Sequence, residues 1–153
     1  MSNIQQALAA MTLCKGMGAA ELQALSKLVF VNSYATAETV CAEGDASDFM
    51  CFVVSGTLRV LKRLSEEEEM AIATVTAGHS FGEMALLEKA PRSATVVAQR
   101  DSVIIILTRK GFEQFKERHP QGALVMLANV ASQLSAHLRR TSDQLAQFMP
   151  PLN

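Results

Sequence analysis

The sequence has no apolar run approaching the roughly 20 residues of a membrane-spanning helix, so no membrane partner is expected. It has no excess charge: 14 Lys and Arg stand against 15 Asp and Glu, a net charge of −1. A surface that follows a nucleic-acid backbone needs clustered Lys and Arg, so near neutrality argues against general nucleic-acid binding. The N-terminal stretch MSNIQQALAAMTLCKG has no basic start ahead of its apolar part and does not read as a secretory signal. Cysteine is scarce. Cys14, Cys41 and Cys51 are odd in number and lack metal-ligand spacing, which points to small buried hydrophobes in a reducing cytoplasm rather than disulfides or a metal site. Internal repeats and Ser/Gly-rich linkers are also missing. The 153 residues are therefore expected to form one domain, 1–153, large enough for a real core.

What is present divides into three regions. Residues 4–29 read as helical, within an N-terminal segment 1–33. In LCKGMGAAELQALSKLV, Leu22, Leu25, Leu28 and Val29 fall on one side, with Gly16 and Gly18 breaking the helix before it. From about Val40 to Leu107 the pattern changes to short strands, in a region taken as 34–107. FMCFVVSGTLRVLKRL and MAIATVTAG are bounded by Gly44, Gly56 and Gly78, and SATVVAQRDSVIIILT is rich in β-branched residues. Closely spaced short strands predict a barrel, roll or sandwich. SEEEE, Ser65 to Glu69, reads as a solvated hairpin tip. The last region, 108–149, is helical again, broken at His119 and Pro120.

The stretch TAGHSFGEMALLEKAPRSATVVA, Thr76 to Ala98, admits two chemistries. GHSFG fits the G-x-S-x-G elbow of serine hydrolases with Ser80 as nucleophile, and Asp101 and His119 follow in the required order. Against this, an elbow needs repeated β-α units, no HGGG-type oxyanion loop is present, and Ser80 reads more simply as a polar turn residue. The other chemistry is a cradle for a small phosphate. Gly82 lets the backbone turn and approach a ligand. The following EMALLE, from Glu83 through Met84 and Ala85, predicts a short helix with unpaired first N–H groups. Small Ala85 leaves room, and Pro91 places Arg92, a planar fork of donors suited to phosphate oxygens. Ser93 adds a hydroxyl. Glu83 fits if the ligand also carries a hydroxyl, such as a ribose 2′-OH. The plainer alternative is a structural Glu83–Arg92 ion pair.

Phe81, Gly82, Glu83, Ala85, Leu86, Arg92, Ser93, Ala94 and Val96 together match a spaced pattern. Segment 81–97 resembles the phosphate-binding cassette of the cyclic nucleotide-binding domain family. EGDASDFMCFVVSGTLRV resembles that family's upstream segment through Gly44, Asp45 and Gly56. It departs at Ser47 and Cys51, and Ala37 stands where a turn glycine is common. The resemblance implies an α+β fold: an antiparallel, jelly-roll-like β-roll flanked by N-terminal helices and a long C-terminal helix. It also implies a sensor without catalytic residues or cofactor, with the cyclic phosphate on Arg92 and the ribose 2′-OH on Glu83.

Leu124, Leu127, Ala131, Leu134, Leu138, Thr141, Leu145 and Phe148 are spaced 3-4-3-4-3-4-3, an a/d seam. One stripe can simply pack on the roll. Val125, Met126 and Val130 add apolar surface off the seam, so the helix is expected to face both its own roll and a second copy. Thr141–Ser142 in LRRTSDQL resembles a Thr-Ser pair on the dimer helix of bacterial catabolite activator proteins, which implies adenine contacts from both subunits. Leu58 and Val60 are candidates for an apolar wall against the base. The expected ligand is cAMP, with cGMP as the alternative. The chain ends at MPPLN with no room for a helix-turn-helix, so direct DNA binding is not expected and an effector protein of unknown identity is implied. The starting Met1 favours a complete chain over a fragment.

Overall fold

The structure is a computed structural model that describes residues 1–151. The last two positions of the expected 1–153 domain lie outside the described residues. Helix α1, Asn3–Ala9, opens on a capping box in which Ser2 and Gln5 satisfy each other's backbone N–H groups. A 3₁₀ turn at Thr12–Cys14 and the left-handed Gly16 (φ 100°) separate it from α2, Ala19–Ser26. Eight strands follow: β1 Phe30–Tyr34, β2 Thr39–Cys41, β3 Phe49–Ser55, β4 Thr57–Arg63, β5 Glu69–Thr76, β6 Ser80–Phe81, β7 Thr95–Ala98 and β8 Ser102–Thr108. Helices α3, Arg109–Arg118, and α4, Pro120–Ala146, complete the chain.

The strands form two four-stranded antiparallel sheets, in the orders β1-β8-β3-β6 and β2-β7-β4-β5. This is the expected roll flanked by helices. The first sheet is covered on both faces, which explains its composition. Along β3, Met50 and Phe52 point into a core shared with the helices, while Cys51 and Val53 point between the sheets. Along β8, Ile105 and Leu107 take the helical side and Ile104 the inter-sheet side. Strands buried on both faces read as continuous apolar runs, as FMCFVV and VIIIL do.

The sheet starts earlier than the sequence pattern predicts. Phe30–Tyr34, placed within the N-terminal helical segment 1–33, is strand β1, paired with β8 in full register. It is an edge strand, and Phe30 and Val31 are exposed on it. An exposed edge lacks the apolar alternation by which strands are recognised. The break at His119 and Pro120 is as expected, with Pro120 at the first position of α4 where its missing N–H costs nothing. SEEEE spans the β4–β5 turn, where Leu64 donates to the Glu68 carbonyl.

All three cysteines are buried, and burial pushes the Cys14 thiol up to about 12. Burial also raises Cys41 and Cys51, against the pull of the nearby Arg92 charge. They are inert packing groups, as expected.

Ala37 has φ 75° at the third position of the Ala35–Glu38 turn, where the left-handed region favours glycine. Ala37→Gly is expected to raise stability by up to about 1 kcal/mol. Relief of left-handed strain, about 1–2 kcal/mol, exceeds glycine's entropic cost of about 0.5–1 kcal/mol. Urea unfolding checks this; a lower midpoint in the variant would mean that the turn is not strained.

Helix α4 divides along its length. Ala123, Met126 and Val130 are buried against α1, α2 and the first sheet, and Leu127 and Leu134 are partly buried beside them. Leu124, Leu138, Leu145 and Phe148 are exposed, at 60%, 68%, 57% and 85%. The heptad seam is therefore not one contact. Off-seam Met126 and Val130 carry most of the packing on the roll, and the second half of the helix projects from the domain with no buried residue.

Candidate functional site

Segment 81–97 lies across the mouth of the roll. Phe81 pairs with Cys51 and buries its ring between the sheets. Gly82 then adopts φ 78° and turns the chain into a 3₁₀ turn, Glu83–Leu86. Here glycine is required twice. The conformation is left-handed, and a Cβ would collide with Arg92 Nη1. The turn is tighter than an α-helix, and the Ala85 N–H is used on the Gly82 carbonyl, 3.0 Å away. Ala85 and Leu86 are buried, while Met84 is half-exposed at 50%.

Arg92 is held by its backbone. Its N–H donates to the Asp45 carbonyl (2.8 Å) and its carbonyl accepts from Gly44 (2.9 Å). The side chain is turned inward and buried. Its guanidinium stacks on the Phe49 ring, 4.5 Å from the centroid, and Nη2 donates to the Phe49 carbonyl. Nε is buried with no partner among the described residues. A buried cation with an unused donor is poorly compensated within the protein, and an anionic oxygen would complete it.

Glu83 is buried too, but it does not pair with Arg92, and no such salt bridge exists among the described residues. The plainer ion-pair alternative is thereby corrected. Glu83 Oε1 instead accepts from Ser80 Oγ (2.6 Å) and from Gln133 Nε2 on α4 (2.7 Å). Ser80 is therefore not a turn residue. It is buried in strand β6, antiparallel to β3, and its hydroxyl is committed to Glu83. A strand in an antiparallel sheet is not the strand-to-helix elbow of a hydrolase.

Three residues at this site were not singled out in the sequence. Gln133 continues the buried stripe Ala123, Met126, Val130 at helical spacing, and a polar residue ending an apolar stripe was a readable signal. Arg109, the first residue of α3, donates Nε to the Ala85 carbonyl (2.7 Å) and Nη2 to the carbonyls of Ser47 (2.6 Å) and Glu88 (3.0 Å). A cation at a helix N-terminus opposes the helix dipole, which hinted at a role elsewhere. Phe49 seats Arg92, and nothing local announced it.

Other sequence candidates lie around this centre. Ser93 is exposed, and its carbonyl accepts from Lys62 Nζ (2.6 Å). Leu58 is fully buried opposite Val75 and Ala98, whereas Val60, on the same face of β4, is half-buried. Thr141 and Ser142 are exposed on the projecting half of α4. Thr141 stands eight residues beyond Gln133, about 12 Å along the helix axis at about 1.5 Å per residue.

This arrangement has counterparts in known proteins. The family model described as the cyclic nucleotide-binding domain matches residues 31–119. Glutaminase 1 of Bradyrhizobium diazoefficiens is 34% identical over 131 residues, covering 86% of this chain but 21% of that protein. A cyclic nucleotide-binding domain from Methylobacillus flagellatus superposes with a TM-score of 0.83 at 23% identity, covering 97% of this chain and 84% of that one. The Thermus thermophilus catabolite activator protein superposes with a TM-score of 0.78 at 27% identity, covering 90% and 62%. The curated relatives are longer proteins, of which the chain spans between 18% and 55%. From residue 31 to 119, over the sheets, the Gly82–Arg92 segment and α3, the chain belongs to the cyclic nucleotide-binding domain family.

Proposed function

We propose that this domain is a cytoplasmic sensor of cAMP, with cGMP the alternative ligand, and that it performs no catalytic step. The observation that carries this is the buried Arg92 with an unpartnered donor, set against Gly82 and next to a carboxylate that it does not neutralise. A cyclic phosphate would take the Arg92 guanidinium, assisted by the Ser93 hydroxyl. The ribose 2′-OH would donate to Glu83. Phe81, Gly82, Met84 and Ala85 form the backbone cradle, and Leu58 and Val60 the apolar side toward the base.

The same residues supply a route to the C-terminal helices. Gln133 on α4 and the expected ribose hydroxyl both bond the Glu83 carboxylate, so nucleotide binding alters the hold of the cassette on α4. Arg109 ties α3 to the cassette carbonyls. A ligand shifts such an equilibrium only through differential contacts, and Glu83 is where those contacts differ. The exposed Leu124, Leu138, Leu145 and Phe148 suit a parallel homodimer through α4. In that dimer Thr141 and Ser142 would reach the base. The signal would pass from these helices to a separate effector protein.

Calorimetric titration with cAMP and cGMP tests the ligand. Glu83→Gln tests the ribose contact, since the variant should bind cAMP and its 2′-deoxy analogue alike, where the wild type prefers cAMP. Equal losses for both ligands would make Glu83 a structural support for Gln133 and Ser80. For the helix, a Thr141→Ala, Ser142→Ala double variant should weaken cAMP more than cGMP, while Thr141→Leu should leave the dimer intact or tighten it. A wild type that sediments as a monomer with and without ligand removes the two-subunit site.

A further inference from the structure

Two shallow hollows of about 210 and 250 Å³ adjoin on the side of the domain formed by α2, the start of β1 and α3, and share Lys27, Leu28 and Gln114. None of their lining residues belongs to the 81–97 segment. Their floor is apolar, and Phe30, 61% exposed, stands at one end. Helix α3 comes very close here: a Cβ on Gly111 would sit 3.1 Å from the Leu28 carbonyl.

The charge around this floor is one-sided. Lys110, Gln114 and Arg118 recur every four residues along α3, so they line one face, and Lys27 projects from the end of α2. No acidic residue lines either hollow, although the chain has 15 Asp and Glu against 14 Lys and Arg. Among the described residues none of these three cations has a salt bridge, whereas Lys116, on another face of α3, is paired with Glu113 at 3.0 Å. Lys110 also sits in the first turn of α3, where a cation opposes the helix dipole. Both features are unfavourable in the isolated domain, and a bound carboxylate reverses both.

We infer that this groove is a docking site for an acidic segment of a partner protein. Carboxylates of the segment pair with Lys27, Lys110 and Arg118, and an apolar side chain next to them covers Leu28, Val29 and Phe30. Charge complementarity over an apolar floor identifies the partner class. Lys110 directly follows Arg109, so the groove and the nucleotide segment share one helix.

The probe is a fluorescein-labelled peptide in which Glu residues flank one Leu and one Phe, with a matched peptide carrying Gln in place of Glu. Fluorescence polarisation at low and physiological ionic strength is the readout. The Glu peptide should bind, more weakly as salt rises, and the Gln peptide should not. A Lys110→Glu, Arg118→Glu double variant should bind the Glu peptide at least roughly tenfold more weakly and gain affinity for a Lys version of it. If that variant melts early, Lys110→Gln with Arg118→Gln takes its place. Both residues are exposed, so the melt of the Gln variant should match wild type. Binding that ignores peptide charge, survives the substitutions, or is absent for all peptides overturns the inference. So does self-association of the wild type that is lost both in the double variant and when Glu66, Glu67 and Glu68 become Lys, because the occupant is then the β4–β5 tip of a second copy.

Discussion

Replacing Arg92 with alanine is expected to lower the affinity for cAMP at least about tenfold. A hydrogen bond to a charged group contributes about 1.5–3 kcal/mol, and about 1.4 kcal/mol is a factor of ten in affinity. The loss should reach the upper end, because Arg92 is the charged donor buried beside Gly82 and the phosphate left behind would have no substitute. Arg92→Lys should recover only part of it, since an ammonium cannot present a planar fork. Without nucleotide the side chain rests on the carbonyl and ring of Phe49, so the unfolding midpoint of Arg92→Ala should move little. Paired calorimetry and thermal melts separate the two effects. Unchanged affinity would remove Arg92 from the site. If the wild type binds neither cAMP nor cGMP, the domain is a dimerisation module that keeps the fold without the ligand.

Gly56→Ala is expected to destabilise the domain by about 3 kcal/mol or more, a large share of the roughly 5–15 kcal/mol typical of a folded domain. Gly56 joins β3 to β4 with φ 93°. An added Cβ would meet Ser102 Oγ, lie 2.5 Å from the Asp101 carbonyl oxygen and 2.6 Å from Ser102 Cα. Left-handed strain costs about 1–2 kcal/mol, and overpacking adds about 1–3 kcal/mol. The obstacle is largely backbone, which cannot swing aside as a side chain can. Gly44 supplies the comparison, with φ 92° but nothing within 4 Å of an added Cβ. Gly44→Ala should therefore show the strain alone. Urea unfolding of the two variants measures the difference, and equal losses would mean that the 101–102 turn yields to the methyl.

The features legible in the sequence were those with local causes. Gly82 and Pro91 frame the Glu83–Arg92 segment through their own backbone preferences, and Pro120 ends one helix and starts the next. The strands of the first sheet were visible as strands, yet their order was not, because β1, β8, β3 and β6 come from distant parts of the chain. Strand β1 escaped notice because its edge position removes the alternating pattern.

The sequence by itself determined the family's segment from Phe81 to Val96, the roll between flanking helices and the inert cysteines, since turn chemistry and apolar periodicity act over a few residues. Only the tertiary structure decided what the charged residues touch. Glu83 meets Gln133, 50 positions away, Arg92 meets Phe49, 43 positions away, and Arg109 gathers carbonyls up to 62 positions away. It also decided that α4 buries Ala123, Met126 and Val130 rather than its heptad seam. A buried charged group takes whatever partner packing brings within reach, because leaving it unpaired is costly, and which partner arrives depends on how the sheets and helices stack.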